Sequence, residues 1–387
     1  MNTRKKQRLI LNPTIAAIST PSGESGLGII RLSGSKALGI ANIICRLRSN
    51  KKLTPRLTHT IHAGSIYQNQ TLIDHVMVAF MKAPRTYTGE DIVEFTTHGS
   101  PVIMKAVLQL MLNNGAVLAE PGEFTKRAYL NGKMDLAQAE AVADVISAKT
   151  LAALHTAQDQ LTGGLSRTIG GLKKRLINLI AQLEVRLDHP DEDIESVTAR
   201  TCMRICEELT ESIASLLETA FKGKIIKHGI RLAIIGKPNV GKSSLLNALI
   251  EHERSIVTDE PGTTRDTVDA VFQLNGIPLH IVDTAGIRGH AYSRAEHLGI
   301  QRSKQAAHEA DILLAVFDSS SSISKDDQKI MDISRTKTTI GVLNKNDLTK
   351  NSRVKNYHKL LQKLPHQAIS ALTGQGIEIL RGKYILS

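Results

Sequence analysis

The run Gly236-Lys-Pro-Asn-Val-Gly241-Lys242-Ser243 is a G-x4-G-K-S loop, and it constrains the fold more than any other part of the chain. It follows a strand-like run at 232–235 and opens a helical stretch at 244–250, the setting this motif requires. Glycines let successive backbone N–H groups converge on phosphate at a helix N-terminus, where the helix dipole also favours negative charge. In this pattern Lys242 reaches the β- and γ-phosphates and the Ser243 hydroxyl binds magnesium. Asn239, Val240, Gly241 and Ser244 complete the expected phosphate contacts.

Further signals follow in order. From residue 230 the apolar runs IRLAIIG, PLHIVDTAG, DILLAVFD and TIGVLNKND alternate with helical stretches, which implies a mostly parallel, doubly wound sheet. Asp283-Thr284-Ala285-Gly286 ends one strand, placing Asp283 near magnesium and the Gly286 amide near the γ-phosphate. Asn344-Lys345-Asn346-Asp347 ends another. A carboxylate at Asp347 can accept both N1–H and the exocyclic amine of guanine, which adenine cannot offer. Ser370-Ala371-Leu372 lies where it would meet the base from the other side. Four such signals in order, each at a strand end, specify guanine-nucleotide binding.

Hydrolysis is less plain. The residue after Asp-x-x-Gly, where Ras-type enzymes carry a water-orienting glutamine, is Ile287. Either GTP is hydrolysed poorly or another group supplies catalysis. Asn239, inside the loop, could ligate a monovalent cation that neutralises developing charge. The stretch 258–266 reads as a switch segment in which Thr264 senses magnesium and the γ-phosphate.

The remainder of the 387 residues divides by pattern. Residues 14–34 read as strand, glycine-rich turn and strand. Residues 71–96 hold two strand-like runs broken at Pro84 and Gly89, and 100–112 has helical spacing. These make an α+β domain over 1–131. Asp135 with Gln138 forms a capping-box pair opening an Ala-rich amphipathic helix. Helical periodicity continues to about residue 187, breaks near Pro190 and resumes through 221, so 132–222 reads as helical and 223–387 as the nucleotide domain.

Charge is uneven: residues 1–60 hold eleven Lys and Arg against one acid, Glu24, within a net charge of +12. Clustered cations suit a polyanionic partner, and they equally suit a solubilising tail with exposed helix charges. Three cysteines (Cys45, Cys202 and Cys206) argue against a disulfide framework and for a reducing cytoplasm. The Leu9-Ile10-Leu11 run is too short for a signal sequence, and no apolar run approaches the length of a membrane span. Aromatics are 3% of residues, so an RNA contact would rest on phosphate and shape rather than stacking.

The motifs GLGIIRLSG, YTGEDIVEFTTHG, PGEFTKRAYLNGKMDLAQAEA, HPDEDIE, GKPNVGKSSLLNAL, TDEPGTTRD and DTAGIR together resemble the MnmE (TrmE) family of tRNA-modification GTPases, from about residue 14 to about 379. The resemblance implies a potassium ion held by Asn239, Thr258, Glu260 and Thr263, and magnesium held by Ser243 and Thr264. It implies a catalytic glutamate, here Glu296, that positions water. It also implies an N-terminal domain that mediates homodimerisation and binds 5-formyl-tetrahydrofolate or a related folate, with contacts matching Arg31, Glu94 and Lys133. An FAD-dependent MnmG-type partner in a heterotetramer, and tRNA as substrate, follow from the same resemblance. The family continues into further helices that complete the helical domain and ends in a Cys-x-Gly-Lys motif; this sequence stops at Ser387 without one. The expectation is therefore a potassium-stimulated, cytoplasmic GTPase of wobble-uridine modification. A second reading is a truncated GTP-binding protein that does not support modification. A third, a ribosome-assembly GTPase, leaves the N-terminal motifs unexplained.

Overall fold

A computed structural model describes residues 13–188, 198–251, 270–274, 276–282, 307–348 and 351–385. The chain divides into two compact units, Met1–Ala143 with Leu161–Ser166, and Asp144–Gln160 with Arg167–Ser387.

The first unit is built on one sheet. Its strands are β1 (Ile15–Ile18), β2 (Ser25–Ser33), β3 (Cys45–Leu47), β4 (Thr60–Gln68), β5 (Thr71–Met81), β6 (Ile92–Gly99) and β7 (Val117–Leu118), in the order β3-β4-β5-β6-β2-β1-β7. All neighbours are antiparallel except β1 and β7. Ile30, Leu32, Val76, Val78, Phe80, Val93 and Phe95 point to one face. There they pack with Ile40, Ala41 and Ile44 of helix α1 (Ala37–Ile44) and Met104, Val107 and Met111 of α2 (Pro101–Asn113). Because side chains alternate along a strand, Arg31 and Glu94, which lie between those residues, fall on the other face. The expected strands and α2 are present. Strands β3 and β4 were not anticipated, because glycine at position 64 weakens the strand signal. Its reason is spatial: a Cβ there would lie 2.8 Å from Cys45 Sγ and 3.1 Å from Arg46 O, so only glycine lets β3 approach. Helix α3 (Glu123–Leu130) follows β7.

The capping box is reciprocal: Gln138 N–H donates to Asp135 Oδ1 at 2.9 Å and Asp135 N–H to Gln138 Oε1 at 3.0 Å. The helical stretch is interrupted twice, giving α4 (Leu136–Ser147), α5 (Leu151–Leu161) and α6 (Gly164–Asp188). Helix α7 (Ala199–His228) starts at Thr198, whose side chain accepts from Thr201 N–H, and runs through residue 222. Leu165, Ile169, Leu176, Ile180, Leu183 and Leu187 recur on α6 at intervals of one or two turns and are exposed.

The second sheet has the order β13-β12-β11-β8-β10-β9, with β8 (Ile230–Ile235), β9 (Ala270–Leu274), β10 (Ile277–Val282), β11 (Ile312–Asp318), β12 (Thr339–Asn344) and β13 (His366–Ala368). Only β9 runs antiparallel to its neighbour. Continuous apolar runs are what a sheet covered on both faces needs. Leu232, Ile234, Leu314 and Val316 pack on one side with Leu245 and Leu249 of helix α8 (Lys242–Glu251). Ala233, Ile235, Leu313, Ala315 and Phe317 pack on the other with Ile330 and Met331 of α9 (Lys325–Ser334) and with Tyr357 of α10 (Asn351–Leu360). This is the mostly parallel, two-sided sheet expected from the alternating pattern.

Candidate nucleotide-binding site

In open parallel sheets ligands bind beyond the carboxyl ends of the strands. The described signals converge there, after β8, β12 and β13. The loop 236–241 leaves β8 and delivers Lys242 to the first residue of α8. Lys242 Nζ donates to Gly236 O at 2.9 Å and Lys237 O at 3.0 Å, so the ammonium is held by the loop it must serve. Burial lowers its pKa, and phosphate oxygens would supply the countercharge that no ion pair among the described residues gives it. Val240 is fully buried and anchors the loop in the core, while Ser243 and Ser244 are exposed in the first turn of α8.

Asn344 is the keystone of the base side. It ends β12 almost fully buried, donates from Nδ2 to Val240 O at 2.8 Å and accepts at Oδ1 from Ala371 N–H at 2.9 Å. Its own carbonyl accepts from Ser319 Oγ at 2.7 Å and Ser319 N–H at 3.0 Å. One amide side chain thus fixes the phosphate loop and the Ser370-Ala371-Leu372 loop to the same strand end. Gly241 makes the approach possible: its φ is +92°, and a Cβ there would lie 2.3 Å from Asn344 Nδ2.

Lys345 has φ +63° and donates from Nζ to Asn239 O at 2.8 Å and to Asp318 Oδ2 at 2.7 Å. Burial pushes the Asp318 carboxyl up. Hydrogen bonds from Lys345 and Ser320, with the Lys345 charge, outweigh that and hold it below its ordinary value. Asp347 is exposed in the short 3-10 turn Asn346–Leu348, whose first N–H donates to Ile369 O at 3.0 Å. Ser370 is buried, its N–H donating to Gln375 O and its Oγ accepting from Thr373 N–H. Leu372 is exposed.

The fold therefore brings together Asn239, Val240, Gly241, Lys242, Ser243, Ser244, Asn344, Lys345, Asp347, Ser370, Ala371 and Leu372. Thr258, Glu260, Thr263, Thr264, Asp283, Thr284, Ala285, Gly286 and Glu296 lie outside the described residues. A loop whose two glycines, Gly236 and Gly241, admit no Cβ, backed by a half-buried lysine at a helix N-terminus, suits a phosphorylated anion. Asp318 was not anticipated; the one signal for it was an acid closing an otherwise apolar strand.

In the first unit Arg31 and Glu94 are cross-strand partners on β2 and β6 and form an ion pair, Nε to Oε1, at 2.7 Å. The guanidinium also lies over the rings of Tyr87 and Phe124, at 5.8 and 5.4 Å from their centroids. Cation–π contact of this kind holds an arginine in place while leaving its terminal nitrogens for a ligand. Lys133 reaches the start of the loop that carries Tyr87, donating to Pro84 O at 2.9 Å.

That loop is sewn to α3 and the turn after it by Tyr87 Oη with Thr125 Oγ1 at 2.8 Å and Asn131 Nδ2 to Thr88 O at 2.7 Å. Beneath it the buried Arg127 pairs with Glu90 at 3.1 Å and Glu123 at 2.7 Å. Burial pushes Glu123 up, and the Glu120 amide with Arg127 outweighs this and holds it below the ordinary carboxylate range. Tyr87, Phe124 and the Arg127 cluster were not read from the sequence, because their partners are scattered along it.

Residues 14–133 match the family model described as GTP-binding protein TrmE N-terminus. Residues 136–385 match the MnmE helical domain. The chain is 45% identical over 375 residues to the tRNA modification GTPase MnmE of Clostridioides difficile strain 630, covering 97% of this chain and 82% of that protein. It is 44% identical over 373 residues to the tRNA modification GTPase MnmE of Enterococcus faecalis, covering 96% and 80%. Among solved structures, Era in complex with MgGDPNP and a segment of 16S ribosomal RNA aligns at 31% identity and a TM-score of 0.31, over 39% of this chain and 54% of that one. With two family models covering both units and relatives at this identity over about four fifths of their own length, the chain belongs to the MnmE family of tRNA modification GTPases.

Proposed function

We propose that this chain hydrolyses GTP, stimulated by potassium, in the modification of tRNA wobble uridine. The observation that carries the nucleotide part is Asn344, which joins the phosphate loop to the loop after β13 at the strand end that carries Lys345 and Asp347. Lys242 holds the phosphates, Asp347 accepts from the guanine edge, and Ser370, Ala371 and Leu372 close on the base. Ser243 and Thr264 would hold magnesium, and Asn239, Thr258, Glu260 and Thr263 potassium; the ions supply positive charge against the transferring phosphoryl group. Glu296 orients the attacking water in place of a glutamine, which Ile287 cannot replace.

Phosphate release from GTP is expected to be at least about tenfold faster in potassium than in sodium chloride, since one cation removed from a phosphoryl-transfer site is a large loss. Equal rates would show that potassium has no part in hydrolysis.

The face carrying Arg31, Glu94 and Lys133 is read as the site for 5-formyl-tetrahydrofolate. Arg31 and Lys133 would meet the glutamyl carboxylates, and Glu94 the donor edge of the pterin. Replacing Arg31 by Ala is expected to weaken binding of this folate by roughly 10- to 100-fold, the value of one charge-assisted pair. Isothermal titration checks it, and unchanged binding would move the folate elsewhere.

Homodimerisation through the first unit, assembly with an FAD-dependent MnmG-type partner and action on tRNA in the cytoplasm belong to the same reading. Among the described residues no helix is long and apolar enough to cross a membrane.

A further inference from the structure

We infer that Lys237 and Asp327 form a positioning pair that sets the phosphate-binding lysine, an inference that rests on reading 236–243 as the nucleotide loop. Lys237 is the first residue after Gly236, and its two ends do different things. Its backbone carbonyl accepts from Lys242 Nζ at 3.0 Å. Its ammonium donates to Asp327 Oδ2 at 3.0 Å and reaches Ser321 Oγ at 3.4 Å. The charge of Lys237 is thereby committed to Asp327, and its service to the phosphates passes through its carbonyl and Lys242.

The anchor is well fixed. Asp327 is fully buried at the N-terminus of α9. Its Oδ2 also accepts from Ser324 N–H at 2.8 Å and Ser324 Oγ at 2.7 Å, and the Ser324 hydroxyl accepts from Asp327 N–H at 3.4 Å. Asp327 Oδ1 has no partner among the described residues. A buried carboxylate in that state depends on its remaining cation, so Lys237 is held as firmly as it holds. The connected line runs from the α9 cap through Asp327 and Lys237 to Lys242. Asn239, two residues further along the loop, is held separately by Lys345, so the loop is tethered on both sides of Pro238.

A residue that orients Lys242 without touching the reacting phosphate affects ground-state and transition-state binding alike, which raises KM and leaves kcat. GTP KM and kcat, with release of a fluorescent GDP analogue, are measured for wild type, Lys237→Arg, Lys237→Met and the double variant Lys237→Met with Asp327→Asn. Thermal melts verify that each is folded. Lys237→Met and the double variant are both expected to raise KM about tenfold, the value of one charge-assisted hydrogen bond, with kcat within about twofold.

Lys237→Arg is expected to stay close to wild type because it keeps the ion pair. If Asp327 matters only as a buried charge that Lys237 neutralises, the double variant removes that charge and recovers wild-type KM; that recovery overturns the inference. Should Lys237→Met fail to fold, the double variant decides alone. A wild-type chain that binds no guanine nucleotide would instead overturn the nucleotide reading on which this rests.

Discussion

Replacing Asp347 by Asn is expected to cost GTP affinity roughly 10³-fold while creating affinity for xanthosine triphosphate. The carboxylate is acceptor-only and matches the two adjacent donors of guanine, N1–H and the exocyclic amine. An amide keeps one acceptor and gains a donor, which faces the guanine amine and leaves both unpaired. Sites built to hydrogen-bond a group discriminate by up to 10⁴–10⁵ against a ligand that cannot match; the exposure of Asp347 places the effect below that ceiling. Xanthine carries a carbonyl where guanine has its amine, so the same amide pairs correctly with it. Competition between the two nucleotides for the variant checks the expectation.

Gly241→Ala is the second large effect. The residue sits at φ +92°, where an L side chain costs about 1–2 kcal/mol. The new methyl would lie 2.3 Å from Asn344 Nδ2. Asn344 cannot yield without breaking its bonds to Val240 O and Ala371 N–H, each a buried hydrogen bond of about 1 kcal/mol. The expected result is a loss of about 3 kcal/mol in stability and at least about 100-fold in nucleotide affinity, because the same bonds shape both loops. Thermal melts with nucleotide titration measure the two together. A variant that melts lower yet binds GTP normally would separate Asn344 from the site.

Much of this was legible from residue order because the nucleotide motifs are local. Gly236, Gly241, Lys242 and Ser243 need only a strand before and a helix after, and the apolar runs at 230–235 and 312–318 announce a sheet buried on both faces. The capping box at Asp135 and Gln138 is likewise a matter of neighbouring residues. What was not legible depends on distance along the chain. Asp318 meets Lys345, Asp327 meets Lys237, and Tyr87 with Phe124 flank Arg31, each through a fold that has to exist first. Strand β4 escaped because Gly64 reads as a breaker, whereas it is the residue that admits β3. The resemblance carried Arg31, Glu94 and Lys133, and the cross-strand register explains why the first two are paired.

The ends of β8, β12 and β13 are expected to form a guanine-specific hydrolytic site. Phosphate release from GTP and from xanthosine triphosphate, measured for wild type and for Asp347→Asn in potassium chloride with magnesium, tests it most directly. Wild type is expected to turn over GTP, and the variant to turn over xanthosine triphosphate in its place. A wild-type chain that releases no phosphate from GTP, or a variant whose GTP turnover is unchanged, would contradict it.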